Sequence, residues 1–268
     1  MIVNSKFSSL YLGKKEDWKA SFDKNVCYIQ KFAIGEEIRV QFVGYSSDFF
    51  AKYTNEAGVD TQLSVVLLHK DPSSEKRLFE VVFSINKQGV YQFHLTNRIN
   101  EAYSYFSIHK PSELSNTILL NYTHRKNDFD TIFVNQDETK KTFNLRIEGG
   151  LYPGDRTQVV ENEIFRDQRF TPFQLSADTY QVSVLTIGNP AGVPQWIGNR
   201  VNNIFKLSKV LVDDMETTRN ESSIPELIQI ASYYPLYVFK LNIEQSDNEV
   251  INETLLRIFD FTFNNPFN

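Results

Sequence analysis

At 268 residues, 41% of them hydrophobic, the chain can bury one large β domain or two small ones, which excludes a disordered polypeptide. A formal charge of −5, with acids and bases mixed along the chain, argues against a general nucleic-acid binder. Aromatic residues reach 14%, mostly 22 Phe and 13 Tyr, and favour strands over helices.

Cys27 is alone, so neither an intrachain disulfide nor a cysteine-based metal site is expected, and a cytosolic folding compartment fits. Residues 1–13 lack the apolar segment and cleavage site of a signal peptide. No window approaches the roughly 18 apolar residues that span a bilayer, so a soluble protein without a membrane partner is expected.

After a polar lead-in to Ser21, strand-like runs follow at intervals of roughly ten residues, the spacing of a sandwich or barrel. Strands are predicted at 26–34, 37–43, 61–69, 77–85, 90–96, 103–108, 117–123, 129–134 and 142–148. Gly35, Gly44, Asp71-Pro72-Ser73, Lys87-Gln88-Gly89, Lys110-Pro111 and Asn127-Asp128 mark the turns between them. Tyr91, Phe93 and Leu95 alternate with Gln92, His94 and Thr96, sending large side chains to one face. Residues 63–68 are apolar on both faces and suit a central strand, whereas 48–60 is loop-like.

The fold class expected is mainly β, with a β-sandwich domain over 1–148. A smaller β-rich domain with one amphipathic helix and a C-terminal docking tail follows over 149–268. In this second unit Gly149-Gly150 ends a strand, a polar-aromatic loop covers 165–173, and a strand runs over 179–187. The helix has Pro194 in its first turn after a Gly192 cap, with Val193, Ile197, Val201, Ile204 and Ser208 on one stripe. Gly198 inside that helix costs about 1 kcal/mol relative to Ala, which marks a close backbone contact. A strand at 209–213, a polar turn at 216–223 and an alternating strand at 236–244 follow. The tail 252–268, with Phe259, Phe261 and Phe263, is too apolar to be left in water and is expected to dock on this protein or a neighbour.

Chemistry-bearing patterns are scarce. His69, His94, His109 and His124 lie in or beside predicted strands without metal-ligand spacing, and the carboxylate clusters at 127–130 and 213–216 lack the graded ligands of a calcium loop. The glycine-rich run 149–154 has no Walker lysine, and at 188–194 Pro190 and Pro194 remove the backbone donors an anion needs. No serine sits in a nucleophile elbow. No catalytic residue, metal site, cofactor or small-molecule substrate is therefore expected. The loop at 165–173 is different in kind: Arg166, Asp167 and Arg169 stand among Phe165, Phe170 and Phe173. Arg and aromatics make interface anchors, although an internal Arg–Asp pair fixing the loop is an equal alternative.

An ordered series of segments resembles a family of tail-associated structural proteins from phages and prophages of Bacteroidetes, including the crAss-like group. Phe143-Asn144-Leu145-Arg146-Ile147-Glu148-Gly149-Gly150 resembles the family's strand ending in R-x-E-G-G, and Phe165-Arg166-Asp167-Gln168-Arg169-Phe170 resembles its next loop. Leu185-Thr186-Ile187-Gly188, then Gly192-Val193-Pro194-Gln195-Trp196, is similar to its strand-turn-helix entry. Ser222-Ser223-Ile224-Pro225-Glu226 and Tyr234-Pro235-Leu236 resemble its closing region, except that two serines replace a glycine-containing turn. The similarity spans about 117–244 and leaves out the Phe-rich tail.

The resemblance implies a virion component of the phage tail, assembled in the host bacterial cytoplasm as a ring at the tail hub or baseplate, without catalytic residues. It implies partners that are further copies of the chain and other tail proteins. On that footing Phe165, Arg166, Asp167, Arg169, Phe170, Phe173, Trp196, Phe259, Phe261 and Phe263 are the expected subunit contacts. The chief competitor is a carbohydrate- or ligand-binding sandwich module, warranted by the aromatic content. A glycoside hydrolase ranks behind it, since no carboxylate pair can be nominated.

Overall fold

Side-chain alternation and the wealth of β-favouring residues are realised as strands nearly throughout. The computed structural model describes residues 2–15, 28–45, 48–97, 99–166, 168–190, 192–220, 226–231 and 234–246. The first nine strands are β1 (Ile2–Asn4), β2 (Gln30–Ala33), β3 (Ile38–Gly44), β4 (Phe50–Asn55), β5 (Asp60–Leu63), β6 (Val66–Lys70), β7 (Arg77–Phe83), β8 (Gly89–Thr96) and β9 (Glu101–His109). They form two sheets, ordered β1-β3-β7-β6 and β2-β9-β8-β4-β5. All pairings are antiparallel except β2 with β9. Inward rows from both sheets, including Phe42, Phe79 and Phe83 from one and Phe32, Phe93 and Phe106 from the other, share one buried cluster. The Phe83 and Phe93 rings stack across the sandwich at 5.8 Å.

The rest comprises β10 (Thr117–Thr123), β11 (Phe143–Arg166), β12 (Pro172–Ile187), β13 (Val193–Pro194), helix α1 (Gln195–Ile204), β14 (Lys209–Val212), β15 (Met215–Arg219), β16 (Glu226–Ala231) and β17 (Tyr234–Ser246). The pairing order β12-β11-β10-β14-β15-β17 returns to β12, closing a six-stranded antiparallel barrel. Closure removes the free edges that an open sheet would expose. Helix α1 buries Ile197, Val201 and Ile204 in the barrel cluster with Leu145, Ile147, Leu185 and Leu241. Gly198 faces Phe239 so closely that an added Cβ would overlap its ring, the close approach its place in the helix implied.

A mainly β fold with a sandwich, then a β-rich unit holding one amphipathic helix, is what the chain adopts. Several details differ from expectation. The expected boundary at 148 falls inside β11, because β10 and the start of β11 pair within the barrel. Residues 48–60 supply β4 rather than a loop, since Ala51 and Tyr53 find partners in Leu95 and Phe93. The strand expected at 61–69, with 63–68 suited to a central place, is two edge strands, β5 and β6, one ending each sheet. Residues 129–134 form no strand: the Asn127 side chain accepts from the Phe133 and Val134 amides at 2.8 and 2.9 Å and ties the segment into a loop. The predicted turn at 216–223 begins as strand β15, after a tight turn in which Asp213 and Asp214 take positive φ. Pro194 is the N-cap, not the first helical residue, because it also pairs with Leu236.

Polar groups join the two units. Glu80 meets Lys141 at 2.6 Å, Gln41 at 2.8 Å and Arg39 at 3.0 Å. Burial acts to raise its carboxyl, but the hydrogen bonds from Lys141 and Gln41 and the Arg39 charge outweigh it, so Glu80 lies below the usual carboxylate range. Nearby, Asn144 donates to Glu36 and to the Glu37 carbonyl while Arg146 reaches Glu36 at 3.2 Å. The N-terminal segment threads between the cores: Phe7 enters the barrel cluster and Leu10 and Leu12 enter the sandwich cluster.

Candidate functional site

Strands β11 and β12 are much longer than the barrel needs. Among the described residues, pairing of β12 with β17 runs to Tyr180 opposite Ser246, and β11 and β12 stay paired with each other to Arg166 opposite Pro172. Among the described residues the two strands beyond that point pair only with each other, over roughly 20 Å at about 3.4 Å per residue. Sequence reasoning placed a turn at Gly149-Gly150; the strand instead continues through it with a register shift between Leu151 and Arg156. Gly149 has φ +152°, and an added Cβ would collide with the Thr186 carbonyl oxygen, so glycine permits the strands to stay paired there.

The distal ribbon displays apolar side chains to water. Phe165 and Phe173 face each other across the strands and are 56% and 50% exposed, and Leu175, 61% exposed, is the extra residue of a bulge just beyond them. Val160 and Ile164 are exposed as well, and Phe170 at the tip is 78% exposed. Phe170 also holds φ at +63°, a left-handed conformation uncommon for a bulky residue. Two-stranded ribbons are marginally stable in water by themselves, so one carrying such a surface gains by being covered. Burying the half of each ring left in water contributes about 1 kcal/mol per side chain.

Of the residues expected at a subunit contact, Phe165, Arg166, Arg169, Phe170 and Phe173 come together as exposed residues of this ribbon and its tip. Asp167, Phe259, Phe261 and Phe263 lie outside the described residues, as does the alternative Arg–Asp pair that would involve Asp167. Trp196 stands elsewhere: it is half-buried, stacked on Tyr11 at 4.5 Å, edge-on to Tyr28 at 6.0 Å and capped by the Arg200 guanidinium at 5.3 Å. Val160, Ile164 and Leu175 were missed by sequence reasoning. Their signal was present, since Phe173 and Leu175 alternate with Gln174 and Ser176 as a half-buried strand does.

The histidines are dispersed. His94 stacks on Tyr103 at 4.5 Å, His109 sits 3.4 Å from Glu113, and His124 lies 3.8 Å from Asp128. Among the described residues no group of three or more His, Cys, Asp and Glu converges as a metal site. No described helix is long and apolar enough to cross a membrane. Compared with known protein families and with curated protein sequences, the chain matches none.

Proposed function

We propose that the chain is a non-enzymatic structural protein of a phage tail, a ring component at the hub or baseplate that binds copies of itself and joins them to other tail proteins. The single observation that carries this reading is the apolar ribbon of 160–175, held out from a closed barrel that has no need of it. Its chemistry suits a self-contact: a Phe165–Phe173 pair, the Phe170 tip and the exposed Arg166 and Arg169 combine large area with planar hydrogen-bonding groups. A ribbon on one copy reaching a different surface on the next is a heterologous contact, which closes into a ring when the rotation permits. Such a protein works mechanically, in the virion, and assembles in the bacterial cytoplasm without cofactor or membrane.

Mass photometry with negative-stain imaging of the purified protein tests this. Closed rings of one copy number are expected, and Phe165→Ser with Phe173→Ser should abolish them while leaving a folded monomer. A protein that stays monomeric alone and with tail proteins, and that binds glycans, would overturn the proposal and favour the sugar-binding reading.

A further inference from the structure

The polar cluster that joins the two units is arranged for more than an ion pair. Gln41 of β3 and Glu80 of β7 stand opposite each other across the strands, on the face that meets the second unit. Lys141 reaches them from just before β11, where its own amide donates to the Phe133 carbonyl at 2.7 Å. Gln41 is 0% exposed, Glu80 6% and Lys141 8%, so an amide, a carboxylate and an amine meet out of water.

Glu80 touches both nitrogens. Its Oε2 accepts from Lys141 Nζ at 2.6 Å, and its Oε1 accepts from Gln41 Nε2 at 2.8 Å. At the same amide, the Ile132 N–H donates to Gln41 Oε1 at 2.8 Å, and the Ile132 carbonyl accepts from Nε2 at 3.0 Å. These bonds fix the amide in one orientation and polarise its carbonyl. Against the pull of burial, the hydrogen bonds from Lys141 and Gln41 and the Arg39 charge keep Glu80 ionised, ready to accept a proton. An amine nucleophile, a group that can move its proton and a donor for the oxyanion are the parts that acyl transfer requires.

We infer that Lys141 and Gln41 join in an isopeptide bond, with Glu80 moving the protons. Glu80 takes a proton from the Lys141 ammonium, and the freed lone pair of Nζ attacks Gln41 Cδ. Charge developing on Oε1 is met by the Ile132 N–H. Glu80 then gives its proton to Nε2 as the Cδ–Nε2 bond breaks. The surplus proton on the new amide nitrogen leaves with the ammonia, as ammonium. The step consumes no oxidant, reductant or second substrate. Holding amine and amide side by side makes the attack unimolecular, and burial keeps competing water away. The product closes a loop from residue 41 to residue 141 and ties the sandwich to the barrel unit covalently. It lies within one copy and stands apart from the ring reading.

Intact-mass spectrometry of the purified full-length chain tests it. After prolonged incubation at neutral pH the chain should be lighter than its sequence mass by one ammonia. A tryptic digest should contain residues 40–52 joined to residues 141–146. In denaturing electrophoresis the looped chain should run ahead of Lys141→Arg, which keeps a cation beside Glu80 but lacks the amine. Glu80→Gln should form the bond at least about a hundredfold more slowly while still melting cooperatively. A natural chain that keeps its full sequence mass would overturn the proposal whatever the variants do. So would an ammonia loss without the joined peptides, or bond formation at an equal rate in Glu80→Gln. Should Glu80→Gln fail to fold, the mass and digest of the natural chain still decide the question.

Discussion

Strand β11 is two different objects along its length. Near its start, Phe143, Leu145 and Ile147 pair with β10 and are buried because their face packs into the barrel cluster with Ile197, Val201 and Ile204 of α1. Near its end, Ile164 and Phe165 carry the same kind of side chain but, among the described residues, have only the hairpin partner beside them and are exposed. Composition does not separate the two halves; the layer packed against the face does. A stretch that looks like core by its residues is core only if the topology brings a second layer to it. Where none arrives within the chain, the same residues make a surface that gains by finding a layer elsewhere.

Truncation at the two ends should break or sustain that comparison most directly. Leu145→Ala should cost about 3 kcal/mol of unfolding free energy in urea melts, whereas Phe165→Ala should cost less than about 0.5 kcal/mol in dilute monomer. Equal losses at the two sites would mean that the distal ribbon is already covered within one copy.

The junction between the units comes next. Lys141→Met leaves the buried Glu80 with Arg39 and Gln41 only, and should cost about 2–3 kcal/mol at neutral pH. Because the folded Glu80 lies below its ordinary 4.5, its contribution is present above that pH and is lost as pH falls through the depressed folded value. The variant should therefore lose less stability on acidification than the parent does. Glu148 acts in the opposite sense: burial raises its carboxyl, so its charged form costs stability as pH rises past 4.5.

Smaller effects sharpen the contrast further. Gly198→Ala should cost about 1–3 kcal/mol by overpacking against Phe239, and Phe239→Leu in the same chain should recover part of that loss. Phe170→Gly should raise monomer stability by up to about 1 kcal/mol, by relieving the left-handed backbone, yet weaken self-association. Thermal melts of the monomer and a concentration series in mass photometry separate the two responses.

Much of the fold was legible wherever one face of an element is buried. Tyr91-Phe93-Leu95 in β8 and the Ile197-Val201-Ile204 stripe of α1 follow the plain periods of strand and helix, and both are core. What escaped depends on partners distant in the chain. Gly149 and Gly150 carry the usual marks of a turn, and only Thr186 opposite shows why glycine is needed in a continuing strand. Residues 129–134 have strand composition, but the Asn127 amide claims two of their backbone donors. At the candidate interface the Arg and Phe residues of 165–173 could be named from sequence. Their place on a long ribbon could not, because it follows from β11 and β12 staying paired beyond the described pairing of β12 with β17.

The threading of the N-terminal segment has a consequence for the order of folding. Phe7 offers its carbonyl to the Tyr122 hydroxyl at 2.8 Å, and Leu10 offers its own to Arg200 at 3.4 Å, across separations of 115 and 190 residues. Those early residues leave the ribosome long before Tyr122 and Arg200 exist, so these two carbonyls wait for their partners while the sandwich forms. Closing loops of that length is slow. Seating of residues 5–12 is thus a late event that locks two preformed cores together. In refolding of a Trp18→Phe variant, the Trp196 fluorescence change on stacking against Tyr11 should follow protection of the β8 and β9 amides in pulsed hydrogen exchange; simultaneous changes would refute that order.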